Sequence, residues 1–425
     1  MTVFATDVLE ARCRRAAEAL VEAGALVLIG AGEPVPKPGG LDQTYPFRPH
    51  PEYYWLTGVR RAGGVLAFDP RGEWVHFVRP GSDEERLWEG ATGPVEGEDV
   101  ARLPAWLKER SDRRLAVLGC PVEGLEADPQ IAGLLRGRLD AVRRRKDDAE
   151  VALHLRAVTA TAAGHARARE VIRPGVSERQ VQIELEAEMF RRGADAAAFG
   201  TIVGAGSNAA VLHFQPGGRS VAPEDLVLVD AGGEVEGYVA DVTRTYPAGE
   251  RFTPPQQAIY DVVLASQRAA IARCVIGTEW HEVHRAAASV LALGLRDAGI
   301  LTGEVEGLLE SGAIALFFPH GIGHMVGLGV RDVGGRAPSR EEVRRYCGAR
   351  LRVDLPLEEG FLMTVEPGLY FVAALLDNPE QRQRFRGRVA WDVLESWRPV
   401  GGVRIEDNVL VTAAGPRVTT EAVPK

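Results

Sequence analysis

Four carboxylates stand inside otherwise apolar, strand-like segments. Asp230 ends LVLVD, Asp241 lies in YVADVTRTY, Glu366 follows LMTV directly before Pro367-Gly368, and Glu406 sits in GGVRIEDNVLV. A buried ionised carboxylate without a partner is costly, so it neutralises or pairs. Any one of the four alone reads better as a strand-end group turned to solvent or to an arginine. Four in segments of the same kind point to a divalent metal centre that would satisfy all of them. An imidazole for such a centre is at hand in PHGIGH, where glycines around His320 and His324 allow the backbone to approach a site closely.

Competing motifs are weak. In WHEVH, His281 and His284 are three residues apart, whereas the zinc-protease signature needs four, so the segment reads as a solvated helix face. There is no GxSxG elbow and no P-loop, and the glycines of VGAGSN do not complete a dinucleotide fingerprint.

The elements that must position these residues follow from periodicity. Up to about residue 140, short apolar runs such as Ala25 to Ile29 and Gly64 to Phe68 alternate with helical stretches, predicting an α/β domain. The charged segment 143–150 then leads into a helix with Val151, Leu155, Val158 and Ala162 on its apolar side. Ser177 and Gln180 form a capping box for a helix burying Val181, Ile183, Leu185, Met189 and Phe190. Strands are expected at 201–203, 210–214, 226–230 and 237–246, with Gly232-Gly233 as the hairpin turn, and again at 361–365, 369–372 and 403–411. Two helices, from Thr253-Pro254 to about 276 and from Trp280 to about 298, lie between. The boundary just before the charged segment gives domains 1–143 and 144–425.

Composition narrows the partners. A chain of 425 residues is long enough for two cores, and a formal net charge of −9 argues against nucleic acid. The single basic run, Arg143 to Lys146, is answered by Asp147 and Asp148 and reads as a solvated helix start. Four scattered cysteines, the absence of an apolar leader and the absence of a membrane-length apolar run predict a cytoplasmic protein without a membrane partner.

The segments VLHF, DAGGEVEGYVADVTRTYP, PHGIGHMVGLGVRDVGG, TVEPGLYF and GGVRIEDNVLV resemble the motif blocks of the pita-bread metallopeptidases, in the branch of prolidase and aminopeptidase P. TYPFRPHPEYYWLTG resembles the N-terminal domain of that branch, so the likeness covers nearly the whole chain. It implies an α/β creatinase-like N-terminal domain followed by an α+β pita-bread catalytic domain with a curved antiparallel sheet. It further implies that Asp230, Asp241, His324, Glu366 and Glu406 hold two divalent ions, Asp241 and Glu406 bridging. An oxygen-rich set of this kind suits Mn²⁺, with Zn²⁺, Co²⁺ or Fe²⁺ accommodated. Two such ions lower the pKa of a shared water enough to leave hydroxide at neutral pH.

The implied reaction is hydrolysis of the Xaa-Pro bond in small peptides with proline second, with Glu366 as proton carrier and His213 stabilising the tetrahedral intermediate. His320, Arg331, Arg352, Arg404 and Trp88 join His213 as implied substrate-site residues, Trp88 by reaching a partner subunit in a homodimer. Arg352 matches the arginine that clamps a dipeptide carboxylate, and YFVAALLDN with VAWDVLESWRPVGGVRIEDN resembles the bacterial prolidase insertion. Both favour a dipeptidase over an aminopeptidase P acting on longer peptides; a metal-free binding module is the remote reading. The chain departs from the family at Arg331, where histidine is usual, and at Val235, where tyrosine is usual. Arg331 reads either as a carboxylate clamp or as a side chain turned outward to Asp332.

Overall fold

The computed structural model describes residues 3–88, 90, 95–337, 340 and 343–425. The chain divides into two compact units, Met1–Arg143 and Arg144–Lys425.

In the first unit the apolar runs become strands β1 (Leu26–Gly30) and β2 (Val65–Asp69), buried along their whole length. With β3 (Glu73–Val78), β4 (Glu98–Asp99) and β5 (Leu115–Gly119) they form a sheet in the order β4-β3-β2-β1-β5. β1 runs parallel to β5 and antiparallel to β2, so the sheet is mixed. Helices α1 (Thr6–Leu20), α2 (Pro51–Thr57), α3 (Asp83–Trp88) and α4 (Leu103–Lys108) precede α5 (Pro129–Arg144) at the end of the unit. Leu28, Val65, Ala67, Phe77 and Leu103 make one apolar core there.

The second unit opens with α6 (Asp148–Val171), capped by a reciprocal pair of Asp147 and Glu150, and α7 (Glu178–Arg191), capped by Ser177 and Gln180. The buried stripe of α6 runs through Leu153, His154, Ala157, Thr161 and His165; of the expected side Val158 is buried and Val151 half-buried against a core cluster. In α7, Val181, Leu185 and Met189 are buried, but Ile183 and Phe190 are exposed. Apolarity alone placed those two faces only in part, because small and polar residues of α6 take the tight contacts; at Gly164 a Cβ would meet Met189. The basic run is not solvated throughout, since the Lys146 ammonium is buried against Asp332 at 2.8 Å.

Strands β6 (Ala196–Ala197), β7 (Ile202–Ala205), β8 (Leu226–Ala231), β9 (Gly233–Val235), β10 (Tyr238–Val239) and β11 (Val242–Pro247) follow. Residues 211–214 form no strand. β8 pairs antiparallel with β7 and β11, while β9 and β10 close a separate inner hairpin. Its turn is Glu236-Gly237, both with positive φ, and not the expected Gly232-Gly233. Gly232 instead meets a packing demand: a Cβ there would run into the Ala240 carbonyl.

Helices α8 (Pro254–Ala272) and α9 (Trp280–Asp297) back the remaining strands and supply the largest apolar core, including Val263, Trp280 and Leu291. α10 (Val305–Glu310) leads on to short ladders β12 (Gly335–Arg336) with β15 (Val353–Asp354), and β13 (Arg345–Tyr346) with β14 (Ala349–Arg350). β16 (Leu362–Val365) pairs with β19 (Asp407–Thr412), which pairs with β20 (Gly415–Val418), and β17 (Gly368–Tyr370) pairs with β18 (Gly402–Arg404). The register places Val365 opposite Asp407 and Gly368 opposite Arg404, so the interruptions at Glu366-Pro367 and Ile405-Glu406 face each other. Proline at 367 offers no N–H to a ladder, which accounts for the break. Glu406 N donates instead to Thr243 O at 3.0 Å, tying this pair of strands to β11.

Among the described residues no helix is long and apolar enough to cross a membrane.

Candidate metal centre and cavity

The four strand carboxylates converge. Asp230 lies in β8 opposite Thr243, Asp241 at the break between β10 and β11, and Glu366 and Glu406 at the two facing breaks. His324 is brought to them by a backbone exchange in which Thr364 N donates to His324 O at 2.8 Å, while His324 N donates to Thr364 Oγ1 at 3.0 Å. The approach needs glycine before it, because a Cβ at Gly323 would strike the Thr364 carbonyl. Asp241, His324 and Glu406 each present a ligand atom within 4.8 Å of the others.

All five groups line one cavity of about 1060 Å³, along with His213, His320, Arg331, Arg352 and Arg404. Every sequence-derived site residue of the second unit is therefore on its wall. Val235 is not; it is buried in β9. Trp88 ends α3 of the first unit with 72% of its surface exposed, which speaks against simple packing.

Electrostatics ask for cations here. Burial and the charges of Asp230 and Glu366 push the Asp241 carboxyl well above the usual carboxylate range, and burial with Asp241 and Glu366 does the same to Glu406. Burial raises Glu366 to about 7, with Asp230 contributing and Arg404 opposing. The His324 ring is 3.0 Å from Met325 O through Nδ1, which fixes Nδ1 as the donor and leaves the Nε2 lone pair facing outward. That nitrogen lies 3.5 Å from Asp241 Oδ2 and 3.8 Å from Glu366 Oε1. Burial lowers the His324 pKa to about 4, so a neutral acceptor faces two acceptor oxygens. Asp230 Oδ1 is buried with no hydrogen-bond partner. A cluster of converging acceptors of this kind fits divalent metal.

The groups around the carboxylates are donors. Arg404 donates through Nη2 to Asp230 Oδ2 at 2.6 Å, through Nε to Thr243 Oγ1 at 3.0 Å and through Nη1 to the Tyr370 hydroxyl at 3.0 Å. Thr243 Oγ1 donates to Glu406 Oε2 at 2.7 Å. Asn408 clasps the Asp241 backbone from both sides, accepting from its N–H and donating to its carbonyl. His320 Nε2 is 2.8 Å from Tyr370 Oη, and its Nδ1 donates to Gly321 O at 2.8 Å. Tyr370, Thr243 and Asn408 were missed by the sequence reading. The signal was there for Thr243: VTRTYP carries polar residues on both faces of a strand that is buried at every position but the last.

Two other expectations are corrected. His284 is buried, stacked on Phe318, with Nε2 3.1 Å from the Tyr346 carbonyl, while the neighbouring His281 stacks on the Tyr346 ring. WHEVH thus props the β13–β14 hairpin and is not a solvated face. Asp332 is ion-paired to Lys146, and Arg331 faces the cavity.

The insertion likened to prolidases folds into short helices, Ala373–Leu376, Pro379–Arg384 and Trp391–Leu394. Leu376, Phe385, Val389 and Leu394 from it join the apolar core, and of the likened segments only Arg404 and Glu406, at their C-terminal end, line the cavity.

Residues 152–413 match the model of metallopeptidase family M24, and residues 9–100 that of the aminopeptidase P N-terminal domain. A probable Xaa-Pro aminopeptidase of Botryotinia fuckeliana is 32% identical over 88% of this chain and 84% of its own length. One from Podospora anserina is 32% identical over 89% and 86%. Among solved structures, Pseudomonas aeruginosa aminopeptidase PepP superposes with a TM-score of 0.77 at 30% identity, covering 98% of this chain and 96% of that one. Escherichia coli aminopeptidase P with the inhibitor Pro-Leu gives 0.78 at 29% identity, with the same coverage. With an N-terminal aminopeptidase P domain ahead of a catalytic domain that gathers four carboxylates and a histidine, the chain belongs to metallopeptidase family M24.

Proposed function

We propose that this chain is an Xaa-Pro aminopeptidase, releasing the first residue from peptides with proline second and further residues after it. The relatives named as Xaa-Pro aminopeptidases support this over the dipeptidase expected from the sequence. The observation that carries it is the roomy cavity around the carboxylates, in a fold shared with an enzyme whose structure holds Pro-Leu, a proline-led dipeptide.

In this reading Asp230, Asp241, His324, Glu366 and Glu406 hold two divalent ions, with Mn²⁺ favoured by the hard oxygen set. When bound, the ions supply Lewis acidity and an acidified water. Glu366, with a carboxyl raised by burial, takes a proton from the attacking water and returns one to the proline nitrogen. That nitrogen carries no N–H in the substrate, so recognition there rests on shape, which Phe199, Leu212 and Val330 on the wall offer. His213, on the same wall, donates to the developing oxyanion. Arg404 orients Asp230, and through Thr243 it orients Glu406.

A homodimer with Trp88 reaching the partner, and a reducing cytoplasmic setting for the four free cysteines, belong to the same proposal. Light scattering tests the first. The central test is hydrolysis of Ala-Pro, Gly-Pro and Ala-Pro-Ala by metal-stripped protein with and without Mn²⁺. Cleavage of Ala-Pro-Ala on adding metal is expected; cleavage of the dipeptides alone would return the dipeptidase, and none with any metal would defeat the enzyme reading.

A further inference from the structure

The carboxylates on the described wall of the cavity are Asp230, Asp241, Glu366 and Glu406, the candidate ligands. Two divalent ions would balance their four charges. Four arginines on the same wall, Arg331, Arg345, Arg350 and Arg352, make no ion pair with any described residue. The cavity of a chain with formal net charge −9 thus carries five arginines, Arg404 included, against four carboxylates.

The arrangement is costly to build. Arg345 and Arg350 are directly opposite each other in the two-residue-turn hairpin β13–β14, and like charges so placed repel. The hairpin is nevertheless held firmly. Tyr346 between them stacks on His281 at 4.7 Å, its hydroxyl donates to Asp354 Oδ2 at 3.3 Å, and its carbonyl lies 3.1 Å from buried His284 Nε2. Burial, with the nearby Arg331 charge, lowers the pKa of the Arg352 guanidinium against the opposing pull of Glu366 and Asp241. A rigid mount for mutually repelling guanidinium groups is what an anion-binding wall requires.

We infer that Arg331, Arg345 and Arg350 extend the clamp expected of Arg352 into a carboxylate-selecting subsite for the part of the peptide beyond proline. The inference rests on the peptidase reading, and the ligand is a carboxylate, from either an acidic side chain at the third position or the peptide's own C-terminus. Guanidinium forks suit both through paired N–H donors.

The test uses Mn²⁺-loaded full-length protein and four substrates: Ala-Pro-Ala-amide, Ala-Pro-Ala, Ala-Pro-Asp-amide and Ala-Pro-Lys-amide. A carboxylate is expected to raise kcat/KM over the neutral amide by about fivefold or more, and lysine to lower it, with both gaps shrinking at high salt. Ala-Pro-Ala against its amide reports the C-terminal source, and Ala-Pro-Asp-amide the side-chain source. Arg345→Glu and Arg350→Glu should each collapse or reverse the Asp-to-Lys ratio. Calorimetric binding of Pro-Asp-amide and Pro-Lys-amide reads the same preference without turnover. Charge-dependent binding with no cleavage would sink the peptidase reading and leave the subsite standing. Equal kcat/KM for all four substrates, or equal affinity for the two products, would overturn the subsite.

Discussion

The Arg404 guanidinium donates to Asp230 Oδ2 at 2.6 Å and leaves Oδ1 of the same carboxylate buried with no hydrogen-bond partner. One oxygen is thus held by the protein and the other is free for a ligand. The same guanidinium reaches Thr243, which in turn donates to Glu406. Lysine could keep the charge but not the three-way fork. Arg404→Lys is therefore expected to weaken Mn²⁺ binding by about 10- to 100-fold in a calorimetric titration. Unchanged affinity would show that the ligands are oriented by something else.

Removing metal should expose the repulsion among the four clustered carboxylates. The stripped protein is expected to melt several degrees lower than the Mn²⁺-loaded form, with a gap that widens with the logarithm of metal concentration. Glu406→Gln removes one charge at nearly constant shape, and an amide oxygen can still accept from Thr243. The variant should melt higher than wild type when stripped, yet gain little from added Mn²⁺. A stripped variant that melts lower than stripped wild type would mean that repulsion does not dominate the empty centre.

Much of this centre was legible because a carboxylate in an apolar strand is an anomaly that needs a reason. Asp230, Asp241, Glu366 and Glu406 declared themselves in that way, and the glycines of PHGIGH marked a close backbone approach. The supporting groups were not legible on the same ground. Tyr370 is an unremarkable aromatic in a strand, and Asn408 matters only because β19 brings it beside Asp241. The helix faces of α6 and α7 were legible only in part for a related reason: tight packing through Gly164 and buried histidines outranks plain apolarity. The Glu236-Gly237 turn was hidden by the more conspicuous pair Gly232-Gly233, whose role is close packing.

Two buried histidines outside the centre predict acid lability. The His154 ring lies 2.8 Å from both Val239 O and Thr419 Oγ1, and burial lowers its pKa to about 4; burial lowers His284 to about 4 as well. Their folded values lie below the unfolded value near 6.5, so the unfolded chain binds more protons between those limits. Stability is fully present above about pH 6.5 and falls as pH drops toward 4, by on the order of 1–3 kcal/mol for each histidine. Melting curves across that range should show a shallower pH slope for His154→Gln than for wild type. Equal slopes would remove His154 as a titrating group.

The buried Lys146–Asp332 pair predicts a coupling between stability and substrate charge. Lys146 Nζ is 2.8 Å from Asp332 Oδ2, and the same carboxylate accepts from the backbone N–H groups of Leu328 and Val333. It therefore sets the loop on which Arg331, the residue immediately before it, faces the cavity. Lys146→Met would remove the ammonium from the buried Asp332 carboxylate, at a cost of about 3–5 kcal/mol. Asp332→Asn in the same chain removes the carboxylate charge, and the double variant is expected to recover most of the lost stability. Its loop would still lack the charged anchor, so KM for peptides with an acidic third residue should stay raised while KM for Ala-Pro-Ala-amide moves less. If the double variant were no more stable than Lys146→Met, the penalty would lie in lost packing of the lysine stem and not in the carboxylate charge.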